Sequence, residues 1–140
     1  MTRTPLHKFG MKYRVDEYTA MVAGGDYDVN AQDADGKTPL HYATEQGVTP
    51  VVMCLLEAGA NPNIQETRFG KSPLSNAVFY IRELGPEVVE RMVDLGADPT
   101  IVTKDGVSPL SLANMINNLP QVQQVLPALR RAAAAFEQPG

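Results

Sequence analysis

Apolar residues along the chain recur in short stripes with helical spacing, and each stripe ends shortly before a glycine. Val51, Val52, Leu55 and Leu56 occupy positions i, i+1, i+4 and i+5 before Gly59. Two further stripes stand at the same distance from their glycines: Val88, Val89, Met92 and Val93 before Gly96, and, more weakly, Tyr18, Met21 and Val22 before Gly25. Each stripe predicts a short helix with one buried face, ended by the glycine.

A second type of helix is predicted upstream of each stripe, where a hydroxyl residue precedes a proline. Thr38-Pro39-Leu40 is followed 34 residues later by Ser72-Pro73-Leu74 and a further 36 residues later by Ser108-Pro109-Leu110, and Thr4-Pro5-Leu6 stands 34 residues upstream. The hydroxyl can cap a helix whose first residue is the proline. Gly36, Gly70 and Gly106 lie just before these starts and favour a tight turn there.

The spacing of these signals predicts an array of about four units, each a pair of antiparallel helices preceded by a turn. The units cover about residues 4–37, 38–71, 72–107 and 108–140. Because such units bury their apolar faces only against one another, the whole chain of 140 residues is expected to be a single all-α repeat domain whose first and last units are atypical caps.

The most regular unit resembles an ankyrin repeat. The resemblance rests on Asp35-Gly36-Lys37-Thr38-Pro39-Leu40-His41-Tyr42-Ala43, on Gly47, and on Leu55-Leu56-Glu57-Ala58-Gly59-Ala60-Asn61-Pro62-Asn63, and it extends more weakly over about residues 4–126. It implies an ankyrin-repeat solenoid with short β-hairpin-like fingers, and a protein that binds other proteins. It also implies that His41 is structural and bonds the finger backbone between neighbouring units.

Four departures from regularity are visible. Phe9 and Gly10 stand where the second unit has Ala43 and Thr44, so the first helix pair is expected to be distorted. The finger that closes the unit 38–71 has one extra residue near Arg68-Phe69, and about three extra residues fall near residues 81–84, in a longer first helix or a longer turn. The last helix is expected to start at about Pro120, to kink or restart at Pro127, and to fray at residues 137–140.

The core is expected to come from the helix stripes and from the residues that follow each proline. This set comprises Leu40, Ala43, Val51, Val52, Leu55, Leu56, Leu74, Ala77, Val88, Val89, Met92, Val93, Leu110 and Ala113.

Composition adds few candidates for chemistry. No run of 18 apolar residues and no charged-then-apolar leader occurs, so a cytoplasmic protein without a membrane anchor is expected. Cys54 is the single cysteine and His7 and His41 are the only histidines, which excludes a zinc site built from Cys and His alone. The carboxylates of Asp26, Asp28, Asp33 and Asp35 lack the spacing of a calcium loop, so neither a metal nor a cofactor is predicted.

No catalytic constellation accompanies these residues. Cys54 has no recognisable base partner, and neither a phosphate-binding loop nor a nucleophile elbow is present. The chain is therefore predicted not to be an enzyme. The competing interpretation, an enzyme or accessory subunit with a small-molecule site, would be favoured by a pocket that contains His41 or Cys54.

Charge is distributed unevenly. Residues 16–66 contain nine acidic residues and one basic residue, whereas the chain as a whole has a net charge of −4. An acidic first finger and helix face would attract a basic partner. Nucleic-acid binding is not expected, because basic residues outnumber acidic ones only in the short arm of residues 1–14.

These observations predict a protein-binding module that is a monomer when alone. By analogy, it is an inhibitor or immunity protein of a basic partner. The partner is expected to dock on the concave surface formed by the fingers and the first helix of each unit. The candidate contact residues are Asp33, Ala34, Asp35, Lys37, Glu45, Gln46, Arg68, Phe69, Lys71, Phe79, Tyr80, Lys104 and Asp105.

Overall fold

The computed structural model describes residues 5–8 and 15–137. Within these ranges every regular element is helical: a 3-10 helix at Pro5–Lys8, and α1 Val15–Gly24, α2 Pro39–Gln46, α3 Thr49–Glu57, α4 Pro73–Phe79, α5 Ile81–Leu84, α6 Pro86–Asp94, α7 Pro109–Met115 and α8 Pro120–Glu137. The described part of the chain contains no helix that is both long enough and apolar enough to cross a membrane. The all-α prediction is confirmed.

The helices form two rows. In one row the 3-10 helix contacts α2, α2 contacts α4 and α4 contacts α7; in the other, α1 contacts α3, α3 contacts α6 and α6 contacts α8. Each helix of the first row also packs against its successor in the second, as α2 does against α3. This is the stacking that the repeat spacing predicted. We refer to the contact of α2 with α4 as the α2–α4 joint and to that of α4 with α7 as the α4–α7 joint.

The three helices of the first row begin as predicted. Thr38, Ser72 and Ser108 are the N-caps of α2, α4 and α7, and each side-chain oxygen accepts a hydrogen bond from the N–H three residues on. The backbone at the three caps is almost the same, with φ between −96° and −93° and ψ between 161° and 166°. In α2 and α7 the third helical residue also bonds back to the N–H of the cap, whereas in α4 it does not.

A tight turn, which we call a finger, precedes each of these helices. The first finger spans residues 33–37, the second 66–71 and the third 103–107, and each is closed by a hydrogen bond of about 2.9–3.0 Å from its first N–H to its last carbonyl. Neighbouring fingers are joined by backbone bonds of 2.9 Å, from Thr67 N to Asp35 O and from Lys104 N to Phe69 O. The fingers are turns and contain no strand.

The extra residue predicted near Arg68-Phe69 lies in the second finger and is matched by a longer side chain. In the first finger the Asp33 carboxylate accepts bonds from the N–H groups of Asp35 and Lys37 at 3.0 Å. In the second finger Glu66 takes the place of aspartate and accepts from Arg68, Phe69 and Lys71 at 2.8–3.0 Å. The additional methylene therefore lets one carboxylate satisfy a loop that is one residue longer.

Consecutive units are also bracketed by asparagine side chains at the loops that precede the fingers. Asn30 donates to Gly59 O at 3.2 Å and accepts from Asn61 N at 2.7 Å. Asn63 repeats this pattern with Gly96 O at 3.1 Å and Asp98 N at 2.7 Å. Each asparagine thus fixes the loop of the following unit through both groups of its amide.

The predicted core is buried with two exceptions. Val93 and Leu110 are only partly buried and pack against the core, whereas the other predicted residues are buried. The three extra residues near 81–84 form the short helix α5, whose Ile81 and Leu84 bury fully or nearly so. The insertion therefore adds a packed element rather than a loose loop.

The two terminal units differ from the middle ones. The last helix begins at Pro120 as predicted and continues through Pro127 to Glu137, so of the two predicted alternatives, a kink or a restart at Pro127, the restart does not occur. Pro127 lacks the N–H that would bond Gln123 O, and both residues are exposed, so water can reach that carbonyl. In the first unit the helix before α1 is a 3-10 helix. The expectations for Phe9, Gly10 and residues 138–140 lie outside the described residues.

Candidate functional site

The structure gathers most of the predicted contact residues around two adjacent cavities. The cavity at the α2–α4 joint has a volume of about 100 Å³ and is lined by Asp35, Lys37, Glu45, Glu66, Arg68, Phe69 and Lys71. The cavity at the α4–α7 joint has a volume of about 170 Å³ and is lined by Lys71, Ser75, Asn76, Phe79, Tyr80, Thr103, Asp105, Val107 and Leu112. Lys71 borders both cavities. We call the surface formed by the fingers and by the exposed sides of α2, α4 and α7 the finger face.

The two cavities occupy equivalent positions of the repeat. Lys37, Glu45 and Lys71 around the smaller cavity correspond to Lys71, Phe79 and Val107 around the larger one, because 34 residues separate Thr38 from Ser72 and 36 separate Ser72 from Ser108. The same register places Ser75 where α2 has His41. One surface therefore presents the same recess twice, with different side chains.

Charged groups at the smaller cavity are largely engaged with neighbouring side chains. Lys37 Nζ forms an ion pair with Glu45 at 2.9 Å and lies 4.8 Å from the ring centroid of Tyr42. The Arg68 guanidinium and the Lys71 ammonium lie 5.2 and 5.3 Å from the centroid of Phe69. Phe69 is nevertheless 48% exposed, so its ring is held by two cations and still faces solvent.

Two carboxylates at the fingers are buried and serve the backbone. Burial of Asp33 acts to raise its pKa, but the hydrogen bonds from the Tyr42 hydroxyl and from two finger N–H groups leave that pKa below its usual value. Burial acts in the same direction on Glu66, and three backbone N–H bonds likewise leave its pKa lowered. Since Asp33 is only 3% exposed, we remove it from the predicted contact residues. Glu66 holds the second finger in the same way.

His41 has the structural role that the resemblance implied. Its Nδ1 accepts from Thr38 N at 3.0 Å, and its Nε2 donates to Lys71 O at 2.9 Å, which joins α2 to the second finger. Burial lowers the pKa of His41, so the imidazole is neutral at pH 7, as the Nδ1 acceptor requires. His41 lines neither cavity.

The finger face carries large apolar side chains in unusual exposure. Phe79 is 63% exposed and lies edge-to-face with Tyr80, with ring centroids 4.9 Å apart. Met115 is 65% exposed at the equivalent position of α7. The sequence interpretation missed Met115, although its offset from Ser108 equals that of Phe79 from Ser72 and would have identified it.

The remaining predicted residues are at the edge of this surface. Ala34 and Gln46 are exposed but line neither cavity, whereas Lys104 is exposed on the third finger and its ammonium donates to Thr67 O. Of the nine acidic residues in the range 16–66, only Asp35, Glu45 and Glu66 line the smaller cavity. Asp33 is buried in the first finger, and the other five lie on α1, on α3 or in the loop between α1 and the first finger, so the acidic finger and helix face stay a prediction.

Residues considered for other chemistry are separated from one another. Cys54 lies on α3 beside Val22, Ala23, Glu57 and Ala58, and burial raises the pKa of its thiol. Among the described residues, no three His, Cys, Asp or Glu side chains converge in a way that could hold a metal ion. The enzyme interpretation named a pocket that contains His41 or Cys54, and Cys54 does line a recess of about 300 Å³. Its other lining residues are Val22, Ala23, Glu57 and Ala58, so the recess brings no histidine to the thiol.

Comparison with known proteins relates this repeat architecture to a family. The family model described as ankyrin repeats (3 copies) matches residues 12–103, which is more than half of the chain. Over 90 residues the chain is 32% identical to Ankyrin repeat and SAM domain-containing protein 6 of Rattus norvegicus, covering 64% of this chain and 10% of that protein. Human Rabankyrin-5 is 29% identical over 116 residues, covering 83% of this chain and 9% of that protein.

A third relative is named as an enzyme. The human 2-5A-dependent ribonuclease is 46% identical over 63 residues, which cover 45% of this chain and only 8% of the ribonuclease. The chain thus spans about a tenth or less of the length of these three relatives. Ankyrin repeats are in general protein–protein interaction modules and not enzymes. From the matched units and the shared architecture, the chain belongs to the ankyrin repeat family.

Proposed function

We propose that this chain binds a partner protein through the finger face. The observation that carries the proposal is the exposure of three large apolar side chains on this one surface: Phe69, Phe79 and Met115 are 48%, 63% and 65% exposed. Phe79 and Met115 occupy the same repeat position in α4 and α7, so they form a row that crosses the units.

The rings are suited to act as anchors. Aromatic side chains at the centre of an interface commonly contribute most of the binding energy, since they bury a large area and have few rotamers to lose. Phe79 is braced by Tyr80, and Phe69 is flanked by Arg68 and Lys71, so both rings are preorganised. A partner that covers them removes apolar surface from water without reordering these side chains.

Charge contributes to the approach of the partner more than to the contact itself. The exposed carboxylates of Asp16, Glu17, Asp26, Asp28 and Glu57 line neither cavity of the finger face. Their field attracts a basic partner over a distance of about 8–10 Å at moderate ionic strength, which raises the association rate. The proposed partner is therefore basic overall and covers the exposed ring of Phe79 where it docks.

The proposal has an inhibitor form and an adaptor form. If the chain is an inhibitor or immunity protein, saturating amounts of it abolish the activity of the captured partner. An adaptor leaves that activity unchanged while the complex forms. An activity measurement on the purified complex therefore separates the two forms.

The test compares two baits on extract from the source cells. The double variant Phe69→Ala/Phe79→Ala removes two anchors, and Phe136→Ala is the matched control, because Phe136 is 51% exposed on α8 and lies outside both cavities of the finger face. A protein retained by the wild type and by Phe136→Ala is then purified and titrated. We expect the double variant to bind it about 2 kcal/mol more weakly with little change in melting temperature.

Salt dependence completes this experiment. The association rate of the wild type is expected to fall between about 0.05 and 0.5 M salt, while the dissociation rate changes less. Equal affinities of the double variant and the wild type would contradict the proposed surface. Loss of binding by Glu57→Lys alone, on α3, would place the interface on the other row of helices.

A further inference from the structure

The imidazole that ties each first-row helix to the next finger is missing from the α4–α7 joint. His7 Nε2 lies 3.0 Å from Lys37 O, and His41 Nε2 lies 2.9 Å from Lys71 O. Lys71 O therefore receives one finger N–H and one imidazole N–H, whereas Lys37 O receives one finger N–H and shares the His7 Nε2 with Ala31 O, which also lies 3.0 Å away. At the next joint the corresponding residues are Ser75 and Val107, and the serine is too short to reach across.

The joint has not closed to fill this space. The finger-to-finger bond is 2.9 Å at both joints, and the caps of α2 and α4 have nearly the same backbone angles. The fingers are thus held at the same spacing, while the cavity is about 100 Å³ at the α2–α4 joint and about 170 Å³ at the α4–α7 joint. The larger cavity lies between Ser75 and Val107, both of which line it, where the imidazole would be.

Hydrogen-bond acceptors with unused lone pairs border this cavity. Ser75 is 6% exposed, and its hydroxyl forms no hydrogen bond with any described residue, in contrast to Ser111, which bonds back to its helix cap. Asn76 uses its amide N–H to bond Thr44 Oγ1 at 3.2 Å, and its carbonyl oxygen accepts no bond from the described residues. Val107 O accepts one N–H, from Thr103, and has a second lone pair available.

The rim adds a carboxylate and two rings. Asp105 lines the cavity and is exposed, with no ion-pair partner among the described residues. Phe79 and Tyr80 line the same cavity. Lys71 is the one cation among the lining residues. Its ammonium lies 5.3 Å from the centroid of Phe69, and Phe69 lines only the neighbouring cavity, so the charge of Lys71 is directed towards that neighbour. Several acceptors, a carboxylate and aromatic surface suit a planar cation with many N–H donors.

We propose that the cavity at the α4–α7 joint receives an arginine side chain of the partner protein, whose guanidinium takes the place of the missing imidazole. This inference rests on the proposed function and deepens it, since it names the residue that the finger face recognises. The guanidinium donates to Val107 O, Asn76 Oδ1 and Ser75 Oγ, pairs with Asp105 at the rim, and stacks on Phe79 or Tyr80. Lysine fits less well, because its compact ammonium can neither stack nor reach several acceptors in one plane.

The probe for this site is the blocked tripeptide acetyl-Gly-Arg-Gly-amide, titrated into isotopically labelled protein and followed by NMR. We expect shifts concentrated at Ser75, Asn76, Asp105 and Val107. The citrulline tripeptide keeps the planar shape and loses the charge, and the lysine tripeptide keeps the charge and loses the plane. Both are expected to bind about tenfold more weakly than the arginine tripeptide, the factor that corresponds to one good charge-assisted contact.

The decisive variant is Ser75→His, which places an imidazole of the protein itself in the cavity at the α4–α7 joint. It is expected to bridge α4 to Val107 O as His41 bridges α2 to Lys71 O, to raise the melting temperature by about 4 °C, and to reduce tripeptide binding about tenfold or more. Ser111→His is the matched control, because it makes the same change at the equivalent position of α7, and Ser111 does not line the cavity. It should bind the arginine tripeptide as the wild type does.

Three outcomes would overturn the inference. If Ser75→His is folded and binds the arginine tripeptide as well as the wild type does, the cavity is not the site. If the shifts spread over Asp16, Asp26 and Asp28, the peptide binds by charge alone and the cavity holds only water. If Ser75→His leaves partner affinity unchanged while Phe69→Ala/Phe79→Ala abolishes it, the finger face remains the interface and only the arginine pocket is rejected.

Discussion

The α2–α4 and α4–α7 joints share one backbone plan and differ in one side chain at its centre. At the first, His41 links the start of α2 to the carbonyl of Lys71, and the recess beside it is small. At the second, Ser75 leaves the carbonyl of Val107 with its finger bond alone, and the recess is larger. The same finger spacing at both joints shows that the backbone does not depend on the imidazole bridge to keep its register.

This difference teaches how a repeat array can gain a recognition site without a new element. The bonds that set the spacing are between backbone groups of the fingers and between asparagine side chains and loops. The imidazole adds stability to a joint that these bonds already define. A residue in such a position can therefore change while the fold is kept, and the space that it leaves opens onto the exposed ring of Phe79 and the half-buried ring of Tyr80.

The largest expected effect tests whether the apolar cores beneath the two joints are equally well packed. Leu55 on α3 and Met92 on α6 occupy equivalent positions, and both are fully buried. We expect Leu55→Ala and Met92→Ala each to lower the free energy of unfolding by about 2–5 kcal/mol, because each leaves a cavity in a close-packed core. Urea unfolding measures both. A much smaller loss for Met92→Ala would mean that the α4–α7 joint is loosely packed throughout, so the comparison would no longer rest on Ser75.

The next largest effect is expected when the imidazole of the α2–α4 joint is removed. His41→Ser should lower the free energy of unfolding by about 1–3 kcal/mol, because it removes a fully buried imidazole and leaves Lys71 O with one bond fewer. Ser75→Ala is the control at the other joint and should change stability by less than about 0.5 kcal/mol, since the Ser75 hydroxyl makes no bond to the described residues. Equal losses in the two variants would show that the joints do not differ as described.

The smallest effect appears as pH falls. The pKa of His41 is lowered by burial, so the unfolded chain takes up a proton near pH 6.5 while the folded chain resists it. Stability is therefore lost as pH falls from about 6.5 towards the lower pKa of the folded protein, with a slope of at most about 1.4 kcal/mol per pH unit for this one proton. Urea midpoints measured between pH 7.5 and 5.5 should fall more steeply for the wild type than for His41→Ser. Parallel slopes would show that His41 does not titrate differently in the two states.

The repeating frame could be predicted from sequence because its signals are local. A cap residue, a proline, an apolar stripe and a glycine each act within a few residues, so the starts of α2, α4 and α7 and most of the core followed from spacing. Val93 and Leu110 share the pattern of the core but are only partly buried. Their burial depends on which neighbouring unit covers them, and the stripe does not contain that information.

The site was less predictable because exposure and bonding arise between units. Asp33 looked like a surface charge, yet the first finger folds around its carboxylate. The helix α8 continues through Pro127 because the carbonyl of Gln123, which loses its N–H partner there, faces water, and the sequence does not reveal that exposure. The serine at position 75 was visible in the sequence, but its significance required the carbonyl of Val107, 32 residues away, to lie across from it.

The α4–α7 joint is held by side-chain bonds on one side, at the loop after α6, and lacks one between α4 and the third finger. Asn63 clamps the loop after α6 through Gly96 and Asp98, which resists sliding of one unit past the next. Among the described residues, no side chain of α4 bonds to the third finger, whereas α2 is tied to the second finger by His41. A force that pulls the third finger away from α4 therefore meets less resistance than the same force on the second finger and α2. The cavity beside Phe79 should open more easily on the side of the third finger than on the side of the loop after α6.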